Sequence, residues 1–176
     1  MNVAIGYQAM NLVNNDSADH NIALGYQALY TNIDGDGGVA IGFEALYTSE
    51  PSDGLSNNVA IGYRAGKATT TGTGNTLIGS NAGTAVTTGT SNVAVGADAL
   101  KTNNIGTKNV AVGEGALQDN VDGSKSVAVG TNALTSQEPS GATDMHNVAI
   151  GEEAGTSIST GTTNTIVGSL AGDALT

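Results

Sequence analysis

Cysteine and tryptophan are absent, proline occurs twice, and phenylalanine once. Without cysteine there is no disulfide framework and no thiolate zinc site, and the redox compartment stays unmarked. Basic residues are nearly as scarce, with five Lys+Arg against 16 Asp+Glu, giving a net charge of -11. A duplex nucleic-acid binder needs a basic stripe to neutralise phosphates, whereas Arg64, Lys67, Lys101, Lys108 and Lys125 are scattered over the middle of the chain. No nucleic-acid partner is expected. No apolar run reaches eighteen residues, and the amino-terminal residues have neither a basic nor an apolar leader region, so neither a transmembrane helix nor a signal peptide is read in this segment. Membrane insertion by this segment is not expected. Leu, Ile, Val and Phe make up 36 of 176 residues, close to the limit at which a chain buries too little apolar surface to offset its ordering entropy. A core here must come from small and β-branched side chains packed the same way many times over.

What the chain does have is glycine, 26 residues of it, in register. The pattern Asn-[Val/Ile/Thr]-[Ala/Leu/Ile]-[Ile/Val/Leu]-Gly-x-x-Ala occurs ten times, with its glycine at Gly6, Gly25, Gly42, Gly62, Gly79, Gly96, Gly113, Gly130, Gly151 and Gly168. The nine intervals are 19, 17, 20, 17, 17, 17, 17, 21 and 17 residues, so the basic period is 17. The alanine three after the glycine is invariant across the copies. The opening asparagine appears in eight, with Gly38 and Ser126 in the other two. A second glycine follows ten residues after the first in six intervals, at Gly35, Gly72, Gly89, Gly106, Gly123 and Gly161. The intervals without it are the long ones, which places insertions at one turn of the period, as solenoids accept them.

A longer period overlies the short one. Gly62 to Gly79 (GYRAGKATTTGTGNTLIG) matches Gly151 to Gly168 (GEEAGTSISTGTTNTIVG), and Glu50-Pro51-Ser52 matches Glu138-Pro139-Ser140. The chain therefore reads as one continuous repeat domain, 1–176, made of two five-coil blocks, 1–89 and 90–176, and as a segment of a longer fibre.

Alternation in Asn2-Val3-Ala4-Ile5 and its copies is the spacing of strands, and glycine every 17 residues beside Thr, Asn and Asp clusters excludes a continuous helix. Seventeen residues also leave no room for a helical crossover. The fold class expected is all-β, a parallel β-solenoid of ten coils, each with two short strands and two glycine-assisted turns, every strand pairing with its copy one coil away. We expect Val and Ile to face into the coil and the Ala column to face a three-fold axis in a homotrimer, with the Asn column forming a ladder of hydrogen bonds.

The strings NVAIGYQAM, NIALGYQAL, NVAVGADAL and NVAIGEEAG resemble the head repeats of trimeric autotransporter adhesins of the YadA type, and still more the longer-period NxAIGYxAL repeats of bacteriophage tail fibres. All ten repeats carry the resemblance. It implies a left-handed parallel β-roll, or β-solenoid, assembled as a homotrimeric fibre with its own copies as partners, exposed on a virion tail fibre or extracellular cell surface and used for attachment. It implies nothing catalytic. The interval here is longer than in the adhesin heads.

Among candidate site residues the aromatics are the most asymmetric, since all six lie within the first 63 residues. Four directly follow a motif glycine, namely Tyr7, Tyr26, Phe43 and Tyr63, with Tyr30 and Tyr47 a few residues on. One coil apart they would stack as a ladder, which either covers neighbouring coils or presents rings to a host surface polysaccharide. Acidic loops at Asp34 and Asp36, and at Asp16 and Asp19, offer oxygen ligands of the kind calcium takes, but without EF-hand or GGxGxD spacing. Turns built by Asp and Gly explain them better. His20 and His146 each precede a coil-opening Asn and have no ligand partners at metal spacing. Threonine tracts at Thr69 to Thr73, Thr87 to Thr90 and Thr160 to Thr163 fall in turns rather than on a strand face. No GxSxG, HExxH or phosphate-loop pattern is present, so no enzyme, resident cofactor or catalytic residue is expected. The function expected is structural projection and attachment, with a carbohydrate- or calcium-binding solenoid, or a self-polymerising extracellular filament, as alternatives.

Overall fold

A computed structural model describes residues 1–13, 18–51 and 54–174. The described residues contain strands and turns and no helix. Ten three-residue strands, Val3–Ile5, Ile22–Leu24, Val39–Ile41, Val59–Ile61, Thr76–Ile78, Val93–Val95, Val110–Val112, Val127–Val129, Val148–Ile150 and Thr165–Val167, form one sheet in chain order. Every neighbouring pair is parallel and in strict register, as in Val3↔Ile22 and Val148↔Thr165. The chain is thus a β-solenoid of about nine turns between its first and tenth strands. We number the coils one to ten by these strands. Register survives the long intervals, because Val39 pairs with Val59 and Val127 with Val148 as evenly as the 17-residue neighbours do. Insertions are therefore confined to the far turn.

Each coil has one regular strand rather than two. Among the described residues a second strand exists only where Leu12–Val13 pairs with Thr31–Asn32 and where Gly123–Ser124 pairs with Thr143–Asp144. The reason lies in the turn after the motif glycine. Residues two and four after it adopt left-handed backbone in coil after coil, as at Gln27 (φ 51°) and Leu29 (φ 51°), which interrupts extended structure. Their N–H groups still point along the rod. Gln27 N donates to Tyr7 O one coil back, and Leu29 N to Ala45 O one coil forward. The backbone is bonded from coil to coil without needing a strand.

The motif glycine is required twice over. Gly96 has φ +141°, and a Cβ on it would lie 2.4 Å from the carbonyl oxygen of Gly113 in the next coil. The second glycine has only the steric reason, since a Cβ on Gly106 would meet Gly123 O.

The interior reverses the expected faces. Ala23, Ala40, Ala60, Leu77, Ala94, Ala111, Ala128 and Ala149 are fully buried, whereas the strand Val and Ile residues look outward, with Ile5 61% and Val167 68% exposed. The cross-section explains the reversal. Behind the strand alanine stand the invariant motif alanine and the residue after it, so that Ala111, Ala116 and Leu117 are all buried in one coil. Two alanines and one leucine fill the width, and β-branched Val and Ile on the inner side would overfill it.

Asparagine completes the inner layer. Asn75 Nδ2 donates to Asn58 Oδ1 at 3.1 Å and Asn92 Nδ2 to Asn75 Oδ1 at 3.1 Å. Each also reaches across the coil to the second glycine, Asn75 Nδ2 to Gly89 O and Asn92 Nδ2 to Gly106 O. The oxygen accepts the backbone N–H of the next coil, which is why Gly38 and Ser126 can stand in the column: Gly38 N donates to Asn21 Oδ1 and Ser126 N to Asn109 Oδ1. This is the expected ladder, and it satisfies amides that would otherwise be buried unpaired.

Candidate functional site

Two features of the outer surface can act on other molecules. The first is the strand face. Of its twenty outward positions, eighteen are Val, Ile or Leu, and the remaining two are Thr76 and Thr165. Nine coil spacings of about 4.8 Å give this stripe a length of roughly 43 Å. At its amino-terminal end a cavity of about 280 Å³ opens between Met1, Val3, His20, Asn21 and Ile22. A solvated apolar band running from the first coil to the tenth is unusual for a monomeric protein.

The second feature is aromatic. Tyr7, Tyr26, Phe43 and Tyr63 are stacked, with centroid separations of 5.3, 5.0 and 5.4 Å between successive rings. Tyr30 and Tyr47 form a parallel pair 4.9 Å apart. Register puts each ring over its copy, as expected from the repeats, and the rings are 38–65% exposed in the longer stack. The inner faces are already occupied by neighbouring rings, so ring edges and the outer face of Tyr7 are what the stack presents to solvent.

Beside this ladder lies an ion cluster that reading single repeats does not disclose. Arg64 Nε donates to Glu44 Oε2 at 2.9 Å, and Lys67 Nζ approaches the same oxygen at 2.7 Å. The Arg64 guanidinium carbon is 4.9 Å from the centroid of Tyr63, and Lys67 Nζ 5.7 Å from that of Tyr47. Burial pushes the Glu44 carboxyl up, but the hydrogen bonds and charges of Lys67 and Arg64 outweigh it and leave its pKa below the ordinary carboxylate range. The signal was in the register. Glu44 and Arg64 both stand two residues after their motif glycines, one coil apart, where Gln27 bonds to Gln8 and Asn81 to Asp98 in other coils.

Of the acidic candidates, Asp19 and Asp36 meet across successive coils. Asp19 bonds through its carboxylate to the Met1 amino group, which holds its pKa low, and through its backbone N–H to Asp36 Oδ1. Asp34 is exposed. Asp16 lies outside the described residues. Among the described residues no group of three or more His, Asp or Glu is placed to hold a metal ion. His20 and His146 are exposed with left-handed backbone, at the position just before the coil-opening asparagine. No described helix is long and apolar enough to cross a membrane.

No family model, no curated protein and no solved structure matches the chain.

Proposed function

We propose that the chain is a segment of an attachment fibre in which three copies lie side by side along their Val/Ile stripes, as in a phage tail fibre or a trimeric adhesin head displayed on a virion or cell surface. The observation that carries this reading is the stripe itself: eighteen aliphatic side chains in register on a solvent-facing sheet whose interior is already filled by alanine, leucine and asparagine. Apolar area of this length is stabilised by burial against a like surface, and a closed rotation of identical rods covers every copy's stripe without leaving one exposed. The rod itself resists bending because each coil is bonded to the next by sheet, turns and the asparagine ladder. Such a body serves to project and to present.

Placing charge on the stripe tests the assembly. Ile61→Asp combined with Val95→Asp puts two carboxylates on the outer face without touching the inner layer. The expected result is a folded monomer by light scattering and circular dichroism. Retention of the unmodified chain's oligomeric mass would overturn the stripe as the interface.

A further inference from the structure

The outward stripe has two unlike borders. Where the strand begins, it is bordered by the residue just before the coil-opening asparagine, a column with left-handed backbone from coil to coil, as at Ser91 (φ 58°), Lys108 (φ 58°) and His146 (φ 53°). The N–H groups of this column bond along the rod, Lys108 N donating to Thr90 O. His20, in the same column, lines the apolar cavity together with Val3 and Ile22, which places the column beside the stripe. Where the strand ends, the border is the residue just after the motif glycine, the column that carries the stacked rings and, further along, Ala97, Glu114 and Glu152. Both borders are exposed in coils six, seven and nine.

Charge is divided between them. In the seventh coil Lys108 stands on the first border and Glu114 on the second, and in the ninth coil His146 and Glu152 hold the same two places. Among the described residues none of these four makes an ion pair within its own chain, whereas Lys125, between Lys108 and His146, is paired with Asp144. Six residues of extended chain, roughly 20 Å, keep the two borders of one coil apart, so the complement of each must come from elsewhere.

Two arrangements bring like stripes together, and the borders distinguish them. In copies that run in the same direction about an axis along the rod, the first border of one meets the second border of the next at the same coil. Lys108 then faces Glu114, the His146 imidazole faces the Glu152 carboxylate, and in the third coil Gly37 leaves room for Phe43. In copies that run in opposite directions, like borders meet and the coil order reverses. His146 then faces His20, Glu114 faces Tyr63 and Glu152 faces Tyr26, so no acid meets a base. A slip of one coil between parallel copies sets only Lys125, already engaged by Asp144, against a glutamate.

We infer that Lys108 with Glu114, and His146 with Glu152, form seams between neighbouring copies of this chain that set the copies parallel and in register. This rests on the stripe being an interface between copies and adds their direction and alignment.

The absence of cysteine makes crosslinking free of background. Ser91→Cys with Ala97→Cys puts a thiol on each border of the sixth coil and leaves all four seam residues in place. Within one chain those thiols lie roughly 20 Å apart, too far for a disulfide. Oxidation of this double variant should give covalent multimers on a denaturing gel, while Ser91→Cys alone and Ala97→Cys alone should stay monomeric. Adding Lys108→Glu and His146→Glu should cut the multimer yield several-fold through like charges placed opposite each other, and adding Glu114→Lys and Glu152→Lys as well should restore it. Multimers from either single-cysteine variant mean that like borders meet and overturn the parallel arrangement. An unchanged yield after Lys108→Glu and His146→Glu overturns the seams. Light scattering on the unmodified chain separates the two claims. An oligomer whose double-cysteine variant does not crosslink removes the seams alone, whereas a monomer removes the interface and the seams with it.

Discussion

Leu77 occupies the space that a side chain on Gly83 would need: a Cβ there would lie 2.6 Å from Leu77 Cδ2. In most other coils the position of Gly83 holds a buried leucine and the strand centre an alanine, as in Leu100 with Ala94. The fifth coil exchanges them. Leu77 also reaches back over Gly66 of the fourth coil, where a Cβ would be 2.8 Å from Leu77 Cδ1. The same exchange recurs in the tenth coil, with Ile166 at the strand centre and Gly172 in the turn, and Ile166 Cδ1 reaches back to within 3.0 Å of a Cβ on Gly155 of the ninth. Coils that lack the turn leucine receive their volume from the strand, and Val86 and Ile158, apolar where the coils between them have Asn103, Asn120 and Gln137, add to it.

This exchange is testable as a pair. Leu77→Ala should destabilise by about 2–5 kcal/mol through the cavity it leaves. Gly83→Leu alone should also destabilise, by overpacking against Leu77. Together they recreate the Ala and Leu arrangement of the sixth coil, and the double variant should recover part of the loss in urea midpoint. The recovery is incomplete because the space beside Gly66 stays empty.

The asparagine ladder predicts a second asymmetry. Asn92→Ala removes the acceptor of Asn109 N and the donor to Gly106 O, both inside the coil stack. Leaving two buried backbone groups unpaired should cost about 2–5 kcal/mol. Substitution of the half-buried Asn104 by Ser should cost less, since its side-chain contact to Thr87 is only partly shielded from water. Denaturant titration of both variants checks the difference.

Within the aromatic stack, position decides the cost. Tyr26 has a ring on each side and Tyr7 on one. At about 0.5–1.5 kcal/mol for each aromatic pair, Tyr26→Ser should destabilise about twice as much as Tyr7→Ser, beyond the loss of covered area. Thermal melts of the two single variants give the comparison.

The repeat period disclosed the register, the confinement of insertions to one turn, the asparagine ladder and the stacking of rings, because each of these follows from placing residue n over its copy in the next coil. It did not disclose which strand face looks inward. Alternation in Val93-Ala94-Val95 is symmetric between the two faces, and the deciding quantity is the coil's width, set by Ala99 and Leu100 in the turn opposite. Nor did it show that the second strand is mostly missing, since left-handed backbone at Asp98 (φ 56°) and Leu100 (φ 50°) is imposed by inter-coil bonding and not by residue type. The Glu44, Arg64 and Lys67 cluster is not visible within any single repeat, because its members lie on adjacent coils and meet only when one coil is stacked on the next.

That cluster carries a pH dependence of definite sign. A carboxyl whose folded pKa lies below its unfolded value contributes stability that is complete above the unfolded value, here the ordinary 4.5 for Glu, and is lost as pH falls through the lower folded value. Acidification below about pH 4.5 should therefore lower the melting temperature, and Glu44→Gln should flatten that part of the profile. The effect should shrink in high salt, because Arg64 and Lys67 are partly solvated.

The central claim is that the outward Val/Ile stripe is an interface between copies of the chain. The most direct test is the solution mass of the unmodified protein by light scattering after gel filtration, over a range of concentrations. The account predicts a constant mass three times 17.3 kDa. A mass of 17.3 kDa at every concentration, with the stripe left in water, would contradict it.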